Sequence, residues 1–268
     1  MKKKRKFLLS TAAARRGIVM MIALIVLVYS GIQIFNILSE EQMVRRESGQ
    51  LMNIVTGGNT QNNNNDEDVD EPIILSDKTF EELRAINPNV VGWLSFHSGI
   101  INEPIVQWRD NERYLTRSFF GERSSMGTVF MDAYQNLNGN NITLYGHLVY
   151  NNANMKFSPL QRLTDQANFE RNRFFTFSTA TEVRTFEVAI VFHYHLEYDI
   201  AIPFFLGDLS PELFMQYVNL ARENQFYDTG VELFPGMNLM TLQTCVRSRD
   251  YLRLIVVGRE ISRVPTTN

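Results

Sequence analysis

The chain is poor in cysteine and histidine: of its 268 residues, one is cysteine and four are histidine. A single thiol, Cys245, cannot form a disulfide within the chain, so it is either a reactive group or a link to another chain. It also excludes a zinc site built on several cysteines. His193 and His195 share one face of a predicted strand, but no third ligand accompanies them. We therefore interpret both, and His97, as structural or surface residues.

Acidic residues are absent from the first 39 positions, and charge of either sign is absent from the 22 residues of 17–38. Seven lysines and arginines precede this apolar run, and two glutamates follow it. At about 1.5 Å of rise per residue, such a helix spans roughly 33 Å, enough for a bilayer core. We predict a basic cytoplasmic tail at 1–16 and an uncleaved signal-anchor at 17–38, with the rest outside the cell. The alternative is a cleaved signal peptide, although the apolar run is longer than a usual one.

Basic charge is scarce in the remainder of the chain. The whole sequence carries 26 basic and 29 acidic residues. Without the seven N-terminal cations, 19 basic residues remain against 29 acidic ones, a net charge of about −10. A nucleic-acid partner would require a basic face, so the composition argues against one.

The composition of the sequence changes twice after the apolar run. Residues 39–72 are polar and contain four consecutive asparagines, Asn62 to Asn65, followed by an acidic stretch. Few apolar side chains there could offset the entropy lost on ordering, so we predict a solvated stalk. From 73 to 263 the composition is globular, which suits one domain, and 264–268 form a short tail.

Eight runs in the globular part are rich in Val, Ile, Phe, Tyr and Thr, and loops with Gly, Asn or Asp separate most of them. The runs are 90–96, 104–107, 128–132, 142–145, 174–178, 183–195, 238–244 and 252–261. A mostly β fold with eight strands favours a closed barrel, which removes exposed sheet edges.

Helices interrupt these strand-like runs. Ser210 and Pro211 are a favourable N-cap and first residue for a long helix, predicted at 211–225 between the sixth and seventh strands. A short helix capped by Ser76 or Asp77 precedes the first strand. Further short helices are expected at 111–115 and 159–171.

Three side chains at the ends of predicted strands could together cleave an amide through a thioester. Cys245 ends one strand, and the cationic residues of the loop after it favour the nucleophilic thiolate over the thiol. His147 closes another strand, and histidine is the usual general acid near neutral pH. Arg253 should lie across a hairpin from Cys245, where it could donate to a developing oxyanion. Arg247 and Arg249 compete for that role, but we interpret them as part of a solvated turn.

This combination resembles the sortase family, specifically class B. The resemblance covers about 73–263 and rests on Thr-Leu-Tyr-Gly-His at 143–147, Thr-Leu-x-Thr-Cys at 241–245, and Arg253 before Leu-Ile-Val-Val-Gly. Weaker matches are Val-Gly-Trp-Leu at 91–94, the stretch 110–115, and Gly-Thr-Val-Phe-Met-Asp at 127–132. The N-terminal helix and the long helix between strands 6 and 7 are typical of class B rather than class A.

The resemblance implies a membrane-anchored cysteine transpeptidase with an eight-stranded barrel on the outer face of a Gram-positive membrane. Cys245 would be the nucleophile, His147 the general acid and base, and Arg253 the arginine that binds substrate and oxyanion. Such enzymes cut the sorting signal of a surface protein after threonine and transfer it to an amine, usually of peptidoglycan or its lipid-linked precursor. No cofactor is expected, and no acidic cluster resembles the class A calcium site, so no metal is predicted.

The resemblance also implies a substrate groove and one departure within it. Asn111, Leu115 and Tyr145 match positions that line the class B groove, and Thr244 adjoins the nucleophile. Many class B enzymes have serine where this chain has Gln243, which shares a strand face with Cys245. The preferred signal, Asn-Pro-x-Thr-Asn or Leu-Pro-x-Thr-Gly, is therefore open. The region of Asp199 and Ile200 aligns loosely with the family's substrate loop.

Three other functions compete with anchoring of proteins to the cell wall. A class B enzyme could polymerise pilin subunits by using a lysine of the next subunit as the amine. A secreted cysteine peptidase would hydrolyse the thioester instead of transferring it, which a signal-anchor beside the site of wall assembly disfavours. An inactive, membrane-tethered barrel could bind peptides, but the three matching catalytic positions argue against it.

Overall fold

The computed structural model describes residues 2–57, 73–150, 152–196, 206–247 and 249–266. The α-helices of these parts are α1 (Lys2–Val55), α2 (Asp77–Ile86) and α3 (Pro211–Glu223). Their strands are β1 (Val90–Phe96), β2 (Asn102–Val106), β3 (Phe130–Met131), β4 (Asn141–Tyr145), β5 (Phe174–Ser178), β6 (Glu182–His195), β7 (Leu239–Val246) and β8 (Arg249–Pro265).

The eight strands close into one barrel in the order β1-β2-β3-β4-β7-β8-β6-β5. β4 pairs with β7 and β2 with β3 in parallel, while the other neighbours are antiparallel. Closure pairs the strands on both sides and leaves no sheet edge open. The predicted eight-stranded barrel is confirmed, as is the long helix between the sixth and seventh strands, which is α3.

The barrel interior is apolar and aromatic. The rings of Phe96 and Phe175 stack with centroids 5.0 Å apart, and those of Phe175 and Phe186 with centroids 5.2 Å apart. A second cluster lies between the barrel wall and the apolar face of α3, where Phe214 and Tyr217 are fully buried. These two clusters fix the strands whose ends carry the candidate catalytic residues.

The two α-helices of the globular part, α2 and α3, begin where the sequence predicts. The Ser76 hydroxyl accepts a hydrogen bond from the Thr79 amide at 3.2 Å, and Ser210 does the same for Leu213 at 3.3 Å. Such N-caps satisfy amides that have no partner within the helix. The regions 111–115 and 159–171, predicted as short helices, contain 3₁₀ turns instead: Arg113–Leu115, Ser158–Thr164, Gln166–Asn168 and Glu170–Asn172.

The chain divides into two compact units, 1–46 and 47–268. In the first, α1 exposes its apolar side chains from Ile18 to Leu38. Among the described residues, Ala14–Val55 is the one helix long and apolar enough to cross a membrane, by length and composition alone. A signal sequence has the same properties.

The stalk predicted over 39–72 differs from the structure at its beginning. α1 continues to Val55, and its end from Glu47 onward belongs to the second unit. There Leu51 is 3% exposed within a cluster that includes Leu75 and Phe80. In the sequence, the few apolar residues of this last part of the helix stand among many polar ones, so the helical spacing of the apolar residues is not evident. The asparagine-rich remainder, 58–72, and the loop around 199–200 lie outside the described residues.

Candidate active site

Cys245 and Arg253 face each other across the β7–β8 hairpin. The two residues are direct partners in the antiparallel register, and a bulge follows between Cys245 and Val246. Side chains directly opposite in an antiparallel pair project from the same face of the sheet. The thiol is partly exposed, as its predicted place near the barrel rim requires. The predicted neighbourhood of these two residues is confirmed.

His147 reaches the same end of the barrel through the parallel pairing of β4 and β7. Tyr145 is in register with Gln243, and the Gly146 amide donates to the Gln243 carbonyl at 3.1 Å. β4 ends at Tyr145 and His147 follows two residues later, while Cys245 lies two residues after Gln243 within β7. A Cβ at position 146 would lie 2.6 Å from the buried Phe157 ring, so only glycine fits there.

The imidazole of His147 has a defined hydrogen-bond partner within the pocket lining. Its Nε2 lies 2.8 Å from the carbonyl oxygen of Leu115. Because a carbonyl oxygen only accepts hydrogen bonds, this contact requires Nε2 to carry the proton, which leaves Nδ1 as the acceptor in the neutral ring. The contact also joins the loop of Leu115 to the strand end that bears His147.

All eight residues that the sequence assigns to the site line one pocket of about 230 Å³. Two further residues complete its lining, Phe130 and Gly146. The predicted residues in the lining are Asn111, Leu115, Tyr145, His147, Gln243, Thr244, Cys245 and Arg253. Arg247 and Arg249 do not belong to this lining. Arg247 instead donates to the Tyr150 carbonyl.

The pocket has two walls that are built differently. We call Cys245, Arg253 and the strands that carry them the β7–β8 wall. In it, Gln161 Nε2 donates to the Cys245 carbonyl at 3.2 Å, and Arg253 Nη1 donates to the Leu252 carbonyl at 3.0 Å. The positions of both residues follow from the main-chain register.

A second wall is held by Asp132, which lies behind the lining residues Asn111 and Tyr145, and we call these three residues the Asp132 wall. Oδ2 of the buried Asp132 accepts from the Tyr145 hydroxyl at 2.8 Å and from Asn111 Nδ2 at 3.0 Å. The Ala133 amide donates to Asn111 Oδ1 at 2.8 Å, so this amide side chain is held at both ends. Burial and the adjacent Asp132 carboxylate raise the pKa of Tyr145, and its hydroxyl therefore remains a protonated donor.

Gln243 and Thr244 occupy different sides of β7. Strand alternation puts Gln243 on the face of Cys245 and Thr244 on the other face. The Thr244 side chain is 2% exposed. Among the described residues, neither Gln243 Oε1 nor the Thr244 hydroxyl has a hydrogen-bond partner. Gln243 thus lines the pocket with a buried acceptor that has no partner among the described residues.

Asp132 is the residue of the site that sequence reasoning missed as a participant. It lies at the end of the match at 127–132, directly after the two-residue strand β3. β3 pairs with β4 so that Phe130 faces Tyr145, which explains how Asp132 reaches the Tyr145 hydroxyl. An acid directly after a strand was the available signal, but its partner could not be known without the strand order.

The other histidines make aromatic contacts. The His193 ring meets Phe226 edge-on at 4.7 Å, and burial, together with nearby Arg249, lowers the pKa of His193. The His195 ring lies 4.8 Å from Tyr251. In the described part of the chain, no group of three or more His, Cys, Asp or Glu side chains is arranged to hold a metal ion.

Comparisons with known proteins agree on one family, although no protein-family model matches the chain. Sortase B of Listeria monocytogenes is 28% identical over 193 residues, which cover 68% of this chain and 74% of that protein. The structure of Clostridium perfringens sortase B is 28% identical with a TM-score of 0.61, covering 68% of this chain and 99% of that one. A Staphylococcus aureus sortase B–substrate complex shares the fold, with a TM-score of 0.68 at 23% identity over 83% of this chain and 98% of that one. By sequence and by fold, the chain is similar to the class B sortases, and these relatives indicate a cysteine transpeptidase.

Proposed function

We propose that the protein is a membrane-anchored transpeptidase that cleaves a C-terminal sorting signal after threonine and transfers the cleaved protein to an amine of cell-wall peptidoglycan. One observation carries this proposal: Cys245 and Arg253 are partners across a hairpin, and His147 lines the same pocket. Acyl transfer through a thioester needs a nucleophile, a proton donor for the leaving amine and a donor for the oxyanion.

The proposed reaction has two steps with the same groups. The Cys245 thiolate attacks the threonine carbonyl, Arg253 donates to the oxyanion, and protonated His147 gives its proton to the leaving amine. The sulfur–carbon bond replaces the carbon–nitrogen bond. The acceptor amine then attacks the thioester, its proton passes to His147, and the thiolate leaves.

Recognition of the signal is proposed for the remaining residues of the pocket. Asn111, Leu115 and Tyr145 line the pocket with the thiol, and Gln243 and Thr244 lie on β7 before it. Tyr145 and Asn111 present polar groups at positions fixed by Asp132. The Tyr145 O–H and one Asn111 N–H already donate to Asp132, so the Tyr145 hydroxyl oxygen, as an acceptor, and the second Asn111 N–H, as a donor, remain for the signal. Polar groups fixed in this way are suited to a polar first residue of the signal, because they need no reorganisation on binding. We therefore favour an Asn-Pro-x-Thr-Asn type of signal.

The proposed topology places 1–16 in the cytoplasm, 17–38 in the membrane and the barrel outside. The basic residues before the apolar run support this orientation. The end of α1 packs in the second unit, so the catalytic domain is proposed to start near Glu47 rather than at 73. A sorting enzyme held at the membrane meets its substrates during export.

The test is a transfer assay with the full chain in detergent micelles. It is incubated with fluorogenic Asn-Pro-x-Thr-Asn or Leu-Pro-x-Thr-Gly peptides, with and without a glycine- or diaminopimelate-containing amine, and the products are weighed by mass spectrometry. Cleavage after threonine with transfer to the amine is the expected result. Hydrolysis that no amine diverts would instead identify a peptidase, and joining to a pilin lysine alone would identify a polymerising enzyme.

A further inference from the structure

A second pocket, of about 320 Å³, lies apart from the residues of the active site. Three stretches of chain form it: the turn between β1 and β2, the loop after His147, and the 3₁₀ turns of 158–172. Its lining is polar and includes two arginines, Arg162 and Arg171. Among the described residues in the lining there is no aspartate or glutamate.

The free donors of this pocket are mainly those of its arginines, because Asn168 Nδ2 and Asn172 Nδ2 already donate to the carbonyls of Arg162 and Asn168. Arg162 Nη2 donates to Asn154 Oδ1 at 2.6 Å, and the Ser98 hydroxyl donates to Asn172 Oδ1 at 2.7 Å. Two of the asparagine side-chain carbonyls in the lining are therefore already used as acceptors. Within the described residues, the Arg171 guanidinium has no hydrogen bond or ion pair. A ligand would meet unused N–H groups and positive charge.

The acids nearest in sequence are engaged elsewhere. Asp165 Oδ1 accepts from the Ala167 amide at 3.0 Å, and Glu170 pairs with Arg173 at 3.3 Å. The positive charge of Arg162 and Arg171 is thus not balanced inside the pocket. Beyond the seven N-terminal cations, the chain has a net charge of about −10, so a cationic pocket departs from the general surface.

The second pocket adjoins the segments that carry the chemistry. Gln161, whose side chain donates to the Cys245 carbonyl, immediately precedes Arg162. Asn154 lies in the loop that begins at His147. A molecule anchored by Arg162 and Arg171 would lie beside the thioester-forming segment without occupying the groove for the sorting signal.

We propose that this pocket binds a carboxylate or phosphate group of the acyl acceptor, an inference that rests on the proposed transfer to an amine. A guanidinium group matches the geometry of a carboxylate or a phosphate and can hold either by two parallel hydrogen bonds. A peptidoglycan branch carries carboxylates, and its lipid-linked precursor carries phosphates, so the two sources share one chemistry. The pocket would hold the acceptor while its amine reaches the thioester.

Binding is measured first, on the full chain in detergent and without any sorting signal. Inorganic pyrophosphate and acetate are titrated into the wild type, Arg162→Gln, Arg171→Gln and the double variant by isothermal calorimetry. Loss of one charged hydrogen bond should raise the Kd roughly tenfold. Arg84→Gln is the matched control, because Arg84 is exposed on α2 and pairs with Glu81 at 3.5 Å. Absence of binding to the wild type, or equal binding to the double variant, overturns the proposal.

Enzyme kinetics then show whether the pocket recognises a carboxylate or a phosphate of the acceptor. Triglycine is compared with triglycinamide, and an amine that carries a phosphate ester with its dephosphorylated form. The acceptor with the recognised oxyanion should have a lower KM at similar kcat, and Arg171→Gln should remove the difference, while Arg171→Lys keeps part of it. Equal acceptor KM values in all four cases reject the role in acceptor binding, even if pyrophosphate binds. If no signal is cleaved at all, the proposed function fails, and calorimetry alone decides whether the pocket takes an oxyanion.

Discussion

The two walls of the active-site pocket are fixed by different means. In the β7–β8 wall the main chain is locked by strand pairing, which makes Cys245 and Arg253 direct partners. In the Asp132 wall the side chains themselves are locked, because one carboxylate oxygen holds both Tyr145 and Asn111. In the proposed mechanism, the side chains of the first wall take part in the chemical steps. Those of the second wall stay in place and bind the signal. Substitutions in the two walls should therefore fail in different ways.

The largest effect is expected from Cys245→Ala, which removes the proposed nucleophile. No thioester should form and cleavage of either signal peptide should be abolished. The substitution alters a partly exposed side chain, so thermal unfolding should stay close to that of the wild type. Mass spectrometry of trapped acyl-enzyme and a calorimetric melting curve check both statements. A variant that still cleaved the peptide would rule out the mechanism.

Arg253→Gln tests the other half of the β7–β8 wall. Loss of one oxyanion donor typically lowers kcat by about 10²–10³, and Arg253 is proposed as such a donor. Arg249→Gln is a suitable control, because Arg249 begins the same strand but is not part of the pocket lining. Steady-state kcat for a signal peptide is the measurement. Equal losses in both variants would assign the effect to general charge instead of to Arg253.

Asp132→Asn should damage the Asp132 wall in a different way. The amide cannot accept from Tyr145 and Asn111 and also accept from the Tyr134 amide, as the carboxylate does. We expect kcat/KM to fall roughly tenfold, mainly through KM, because about one charged hydrogen bond is lost. Asp228→Asn, at an exposed turn that is not part of the pocket, is the control. A fall in kcat alone would contradict a positioning role.

A smaller change is expected from Gln243→Ser, which alters the surface next to the thiol. The resemblance to class B enzymes with serine at this position predicts a shift towards the Asn-Pro-x-Thr-Asn signal. One neutral hydrogen bond is worth about 1 kcal/mol, so the ratio of kcat/KM values for the two signals should change by about fivefold. An unchanged ratio would show that Gln243 does not select the signal.

Glu47→Gln should alter stability while sparing both walls. Burial raises the pKa of Glu47 above its ordinary 4.5, although Lys156 and the Phe119 amide act in the opposite direction. A raised folded-state pKa means that the contribution of Glu47 to the unfolding free energy is largest below pH 4.5 and declines as the pH rises through the folded-state value. Glutamine keeps an acceptor for the Phe119 amide and carries no buried charge. The variant should melt higher than the wild type at neutral pH, and this difference should shrink as the pH is lowered.

The sequence predicts the strands better than their partners. β-branched and aromatic runs predict β1 and β5 with the bounds that the structure has, and the hairpin logic predicts that Cys245 faces Arg253. The Asp132 wall depends on β3, which has two residues and lies within the predicted run 128–132, but no local pattern predicts its parallel pairing with β2. The burial of α1 near Leu51 could not be predicted from the local sequence either. It depends on contacts with residues further along the chain, such as Leu75 and Phe80.

The parallel pairing of β4 and β7 has a consequence for the order of folding. His147 and Cys245 are about 100 residues apart, and α3 lies in the chain between their strands. Contacts of such sequence separation form late, because the entropy of loop closure must be overcome before they contribute. In a refolding experiment, secondary structure should therefore return before thiol-dependent activity does. A newly made chain would therefore lack thiol-dependent activity until its barrel has closed.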